Sequence, residues 1–183
     1  MNVCRTVGEW NSTADERADA WPCDGLIGDP DLTVFRAVDI DAPPEMVFRW
    51  LCQLRAAPYS YDLIDNLGRR SPRHLTPGLA ELEVGQRFAP MFELVAFKPN
   101  VHITIWAPGS LFGDVAGTYR VRPDGKGGSR LAVKLMVRHR RDPLGLVWSL
   151  VLPAGDLVMM HKQLHTLAAL AERGARAGSP EHR

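Results

Sequence analysis

Four strand-like segments in a row, joined by connectors too short to hold another element, decide most of what this chain can fold into. They are "QRFAPMFELVAF" (86–97), "VHITIW" (101–106), "GDVAGTYRVR" (113–122) and "SRLAVKLMVRHR" (129–140), and the connectors are "KPN", "APGSLF" and "PDGKGG". Turns of three to six residues rich in Pro, Gly and Asn join antiparallel neighbours, whereas a parallel pair needs a crossover of a dozen residues or more. The segments therefore read as an antiparallel meander. Val101, Ile103 and Ile105 alternate with His102 and Thr104, and Tyr119 and Val121 with Thr118, Arg120 and Arg122. One face of the sheet is dry and the other wet.

A dry face has to be covered. The segment 144–173 is helical in period, with Leu157, Met160, Leu164, Leu167 and Ala171 on one stripe, and it is the only element long enough to lie across such a sheet. Pro153 and Gly155 are expected to interrupt it, with Asp156 capping the helix beyond them. Upstream, "LTVFRAVDI" (32–40) reads as a strand. "DAPPEMVFRWLCQL" (41–54) starts a helix at its prolines and buries Val47, Trp50, Leu51 and Leu54 at i, i+3, i+4, i+7 spacing. "YDLIDNL" (61–67) is long enough for a second short helix that Gly68 closes. The fold class is α+β: a curved antiparallel sheet of about six or seven strands around a long C-terminal helix, with two short helices after the first strand. Residues 1–30 read as an arm packing on the domain, 31–174 as the single domain and 175–183 as a disordered tail.

Composition narrows the function classes. The chain has 183 residues with a formal net charge of +1, so no bulk field draws it to nucleic acid. Its longest apolar run, "PLGLVWSLVLPAG", is shorter than the roughly 20 residues of a spanning helix, and the opening residues lack the basic flank and apolar core of a secretory signal. A cytoplasmic protein without stable membrane insertion is the expectation. Cys4, Cys23 and Cys52 are odd in number and widely spaced, which argues against a disulfide framework.

Several stretches together resemble the helix-grip superfamily that includes START lipid-transfer domains, birch-pollen-allergen-like proteins and polyketide cyclases, often labelled SRPBCC, and within it a branch of small bacterial members. The resemblance rests on "DIDAPPEMVFRWLCQL", "YSYDLIDNLG", "LEVGQRF", "GTYRVRPDGKGGSRLAVKLMVR" and "GDLVMMHKQLHTLAALAER", and spans about residues 32–173. It implies a cavity between sheet and C-terminal helix that accepts an apolar small molecule of lipid, polyketide or isoprenoid type. It names no reaction, since one such fold hosts carriers, sensors and enzymes.

Candidate site residues emerge from side-chain type and phase. Trp50, Phe92, Trp106, Tyr119, Leu135, Met160 and Leu164 are the expected cavity wall. Tyr59, Tyr61, Asp62 and Asn66 form either a polar rim at its mouth or, on the structural reading, packed rings and helix caps. Arg36 is in phase with Val34, Val38 and Ile40, and Glu93 with Met91, Val95 and Phe97. Each either points inward, to anchor a polar head or move a proton, or is a strand-end charge reaching solvent. His161 and His165 stand one helical turn apart, but Lys162 replaces the glutamate of a zinc helix and no third ligand is evident, so no metal is expected. No cofactor is implied. "RHRR" (138–141) reads as a solvated strand end.

Three readings remain. The first is a binding module for a hydrophobic or amphipathic small molecule, monomeric or homodimeric. The second is a cyclase- or aromatase-like enzyme using Arg36, Glu93 or His161 as catalytic groups. The third is a protein-interaction or stress-response module, which exposed Trp10, Trp21 and "GLVWSLVL" would favour.

Overall fold

The computed structural model describes residues 9–60, 70–88, 91–110, 113–141 and 143–178, with side chains described outside 143–158 and 178. Seven strands form one sheet: β1 (Glu9–Trp10), β2 (Leu32–Ile40), β3 (Arg87–Phe88), β4 (Phe92–Lys98), β5 (His102–Ser110), β6 (Gly113–Pro123) and β7 (Ser129–Arg138). Their order is β1-β2-β7-β6-β5-β4-β3, so β3 to β7 run as an uninterrupted antiparallel meander and β2 closes against β7. Only β1 pairs parallel, through Glu9 and Trp10 against Phe35 and Arg36.

The described residues also hold three helices: α1 (Ala14–Ala18), α2 (Pro44–Cys52), which runs into a 3-10 turn at Gln53–Arg55, and α3 (Pro143–Gly178). Pro44 at the first helical position loses no hydrogen bond, because that amide has no intrahelical partner. Pro43 occupies the cap position, and the Asp41 amide donates to Glu172 on α3 at 3.2 Å. The backbone of α3 is helical without interruption through Pro153, Gly155 and Asp156 and continues to Gly178, which corrects the expected break and cap there and the expected end near residue 173. The residues assigned to the second short helix, 61–67, lie outside the described residues. No described helix is long and apolar enough to cross a membrane.

Register fixes what each face carries. Inward, toward α3, one continuous row runs Trp10, Arg36, Val133, Tyr119, Ile103, Phe97 across six strands. The next row holds Val34, Leu135, Gly117, Ile105 and Leu94, and the one after it Leu32, Val137, Val115 and Ala107. The main core lies between these rows, α2 and the second half of α3, with Leu51, Leu131, Leu164 and Leu167 essentially sealed from solvent.

The outer face is covered by residues 13–30. Trp21, Cys23 and Ile27 pack on Ala37, Ala116, Ala132 and Met136. The rim of this contact is charged: Arg130 meets Glu16 at 2.8 Å and Asp39 at 3.0 Å, Arg120 and Arg122 share Asp19 at 3.1 and 2.6 Å, and Lys134 meets Asp24. The Arg120 guanidinium also lies 4.0 Å from the centre of the Trp21 ring, a cation–π contact. Thr13 and Glu16 form a reciprocal capping box on α1, so the carboxylate that caps the helix also receives Arg130.

Candidate functional site

Among the described residues the inner face is largely apolar, with a short polar strip. Arg36 is 1 % exposed and stands in the central row of the sheet, its guanidinium donating to the Phe35 carbonyl at 3.1 Å. Two strands away in the same row, Tyr119 donates its hydroxyl proton to Gln163 Oε1 of α3 at 2.8 Å, with the Met160 sulfur at 3.9 Å as a longer contact. Gln163 Nε2 donates onward to the Pro58 carbonyl at 2.7 Å. Strand, helix and the loop after α2 are thereby joined by one hydrogen-bonded chain.

The buried apolar residues of this face divide into two clusters. The larger holds Val133, Tyr119, Ile103, Leu164 and Leu167, and the smaller holds Ala107, Val115 and Val137, with Phe92 packing against both. Between them on β6 and β7 lie Gly117, which projects no side chain, and Leu135, which is only partly buried. A Cβ on Gly117 would stand 3.0 Å from Leu135 Cδ1, so glycine is what lets that leucine lie across the strand.

Trp50 and Tyr59 close the end of the core near α2. Their rings meet edge to face at 6.1 Å, and both are buried. Tyr59 is thus a core residue and not an exposed rim, and it holds a left-handed backbone at φ 57°, a conformation costly for a bulky side chain. The Gln163 bond to Pro58 fixes the peptide immediately before it.

Of the remaining candidates, Phe92, Leu135, Met160 and Leu164 lie on the inner side, with Leu164 fully buried and the other three partly so. Trp106 lies on the opposite face, where it packs against the cluster of Trp21, Ala116 and Met136 under the N-terminal segment. Glu93 is exposed and faces outward opposite Trp106. The cause is a bulge between Leu94 and Ala96, which flips the phase: Phe97 points inward with Ile103, whereas before the bulge it is Phe92 and Leu94 that do, not Glu93. His161 is exposed too. Its ring meets Trp10 at 4.7 Å and His165 at 4.4 Å, both tilted, and Trp10 meets His165 edge-on at 5.5 Å. Partial burial and the neighbouring His161 together hold the His165 imidazole below its ordinary pKa. Tyr61, Asp62 and Asn66 fall outside the described residues. No group of three or more metal-ligating side chains occurs among the described residues.

Two features of this face escape a reading of the sequence. Gln163 sits between an exposed lysine and a core leucine, where an amide reads as surface. Gly117 reads as a turn or a weak strand position. The signal for both is their cross-strand and cross-helix partners, which only the fold supplies.

Helix on curved sheet with this strand order is the helix-grip architecture, and solved structures share it at low identity. The aromatase/cyclase Zhui from Streptomyces sp. R1128 is 16% identical, with a TM-score of 0.54 covering 80% of this chain and 98% of that one. Protein MLL2253 from Mesorhizobium loti is 19% identical, with a TM-score of 0.51 over 77% and 97%. Protein Ms6760 from Mycobacterium smegmatis is 15% identical, with a TM-score of 0.50 over 81% and 96%. No protein-family model and no curated protein matches the sequence. The likeness is one of fold.

Proposed function

We propose that this protein binds an apolar or amphipathic small molecule on the inner face of the sheet, beneath α3, where the row of Val34, Leu135 and Gly117 separates the two apolar clusters. The observation that carries this reading is the polar strip of Arg36, Tyr119 and Gln163 beside that row, embedded in an otherwise apolar layer. Burying polar groups is costly, and a few fixed ones among apolar walls are what orients a ligand in a pocket. The apolar walls supply most of the affinity, at roughly 25 cal/mol per Å² removed from water.

The cyclase reading has less to stand on. Of its three candidate groups Glu93 and His161 face away from the interior, and Arg36 stays protonated and exchanges no proton near neutral pH. The interaction-module reading loses Trp21, which is buried against the sheet, and Trp10, which is partly buried against the histidines.

The test is a titration of the protein with 1-aminoanthracene, read by its fluorescence, beside the variant Leu135→Trp, which lays a larger side chain across Gly117. Saturable binding lost in the variant at unchanged unfolding midpoint supports the reading. Equal binding by both proteins, or none by the wild type, overturns it.

A further inference from the structure

Away from the inner face, the fold brings two imidazoles together on an exposed surface. His161 and His165 stand one turn apart on α3, and their ring centres are 4.4 Å apart with the planes tilted by 56°. Exposed side chains at such positions are free to turn into separate rotamers. Here a third ring limits them. Trp10, carried on β1 and paired there with Arg36 of β2, lies 4.7 Å from His161 and 5.5 Å from His165. Trp10 itself is partly buried against the main core, so the fold sets its place.

The separation of the two rings fits one kind of chemistry. An imidazole nitrogen ligates a metal at about 2.0 Å and the ring centre lies about 1.1 Å behind it, so two imidazoles at a right angle on one ion have centres about 4.4 Å apart. At the tetrahedral angle that distance would be about 5.1 Å. Right-angle pairs belong to tetragonal ions, and among those Cu(II) has the highest affinity for nitrogen ligands, above Ni(II). The glutamate that Lys162 replaces is a general base in zinc helices and not a ligand, so its absence leaves metal binding untouched. Among the described residues no third ligating side chain joins the pair, which leaves the other coordination positions to water.

We propose that His161 and His165 form a two-ligand site for a tetragonal divalent transition metal, Cu(II) ahead of Ni(II), and that Trp10 is the positioning residue that keeps the two rings side by side. The site departs from the sequence expectation of no metal, and it stands or falls independently of the inner-face reading. Trp10 touches no metal in this scheme. It acts by limiting the freedom of the rings before the ion arrives, so that less ordering is left to be done on binding.

Cu(II) alone is the probe. Its affinity is measured by isothermal titration calorimetry at neutral pH on wild type, His165→Gln and Trp10→Leu, and pulsed electron paramagnetic resonance counts the imidazoles on the bound ion. The wild type is expected to hold the ion through two imidazoles. His165→Gln, at an exposed position, is expected to bind at least about tenfold more weakly and through one, because the second imidazole no longer joins as an intramolecular ligand. Trp10→Leu is expected to keep the two-imidazole signature with affinity lowered roughly threefold to tenfold, the effect of giving the rings back their rotamer freedom. A single imidazole on the wild-type ion, or equal affinity in wild type and His165→Gln, would overturn the site and leave the histidines as packing for Trp10. Wild-type affinity in Trp10→Leu would overturn the positioning role. Should Trp10→Leu not fold, Trp10→Phe, which keeps an apolar ring but reaches less far, is read in the same way.

Discussion

On the outer face of the sheet, four cations of β6 and β7 meet carboxylates of the N-terminal segment, and a small apolar centre of Trp21, Cys23 and Ile27 lies inside that charged rim. On the inner face the proportions are reversed: a broad apolar layer surrounds one buried guanidinium and one tyrosine–glutamine pair. The same strands carry both patterns, alternating residue by residue. The outer arrangement resembles a protein interface, where apolar anchors supply affinity and the charges set the register. Its ion pairs are partly solvated, so each adds little alone, and together they specify where the segment sits. The inner face keeps its polar groups few, and hydrogen bonds hold Tyr119 and Gln163 in a fixed direction. On the proposed reading, covering and recognising fall to opposite sides of one sheet.

That contrast is broken most directly at Trp21. It is 4 % exposed, anchors the apolar centre of the outer face and carries the Arg120 guanidinium on its ring. Trp21→Ala is expected to lower stability by about 3–5 kcal/mol in urea unfolding, the cost of truncating a buried aromatic, with no change in 1-aminoanthracene binding. A loss below about 1 kcal/mol would mean the segment is not part of the folded core.

Arg130 comes next. Its guanidinium serves Glu16, Asp39 and the Asn11 carbonyl together, and the side chains of the Arg130–Glu16 pair are 18% and 10% exposed. Arg130→Met leaves the Glu16 carboxylate half-sealed without its cation. Breaking a fully buried pair costs about 3–5 kcal/mol, and discounting for the remaining solvent gives about 2 kcal/mol here. On the inner face, by contrast, Leu135→Ala is expected to cost about 1 kcal/mol, less than the roughly 2–5 kcal/mol of Leu164→Ala in the closed part of the core. Equal costs at the two leucines would show that Leu135 is packed like any core residue and that no ligand space adjoins it.

How much of this can be read from residues alone differs between the faces. Strand β2 and the meander come from alternation and turn chemistry, which are local, and the C-terminal helix comes from its stripe. Arg36 shares the phase of Val34, Val38 and Ile40, and the register keeps all four on the inner side. Glu93 departs from its expected phase because one extra residue at the Leu94–Ala96 bulge inverts a period of two, and a bulge leaves no mark in "FELVAF". Trp106 has the look of a cavity residue because a tryptophan beside Ile105 suggests core; it is partly buried, but under Trp21 and its neighbours on the other face. The outer rim is illegible for a plainer reason. Glu16 and Arg130 are 114 residues apart, and nothing local tells either that it will meet the other. The helix runs on through Pro153, against expectation, because a lost amide bond is a local penalty that a 36-residue helix can absorb.

Acid offers the finest separation of the two faces, and the smallest effect. Burial alone would raise the Glu16 carboxyl pKa, but the Arg130 hydrogen bonds and the Thr13 amide outweigh it and hold it below the ordinary carboxylate value. A folded pKa below the unfolded one means that the unfolded chain binds more protons between the two. The stabilisation is therefore complete above the unfolded value of about 4.3 and is lost as pH falls through the lowered folded value. His165, at the edge where Trp10 meets α3, is also lowered, by burial first and by His161 second. Its neutral form is the one the fold prefers, so its contribution is complete above the unfolded histidine value of about 6.5 and is lost earlier in an acid titration. Urea unfolding at about pH 7.5, 5.5 and 3.5 should then show two separable losses. His165→Gln is expected to shrink the first step, leaving the share of His102, which burial also holds low, and Glu16→Gln to shrink the second, leaving the share of Asp114, from a lower stability at neutral pH because Arg130 has lost one of its two charge partners. If Glu16→Gln flattens both steps, the outer rim and the Trp10 edge unfold as one unit, and the division of labour between the faces does not extend to their stability.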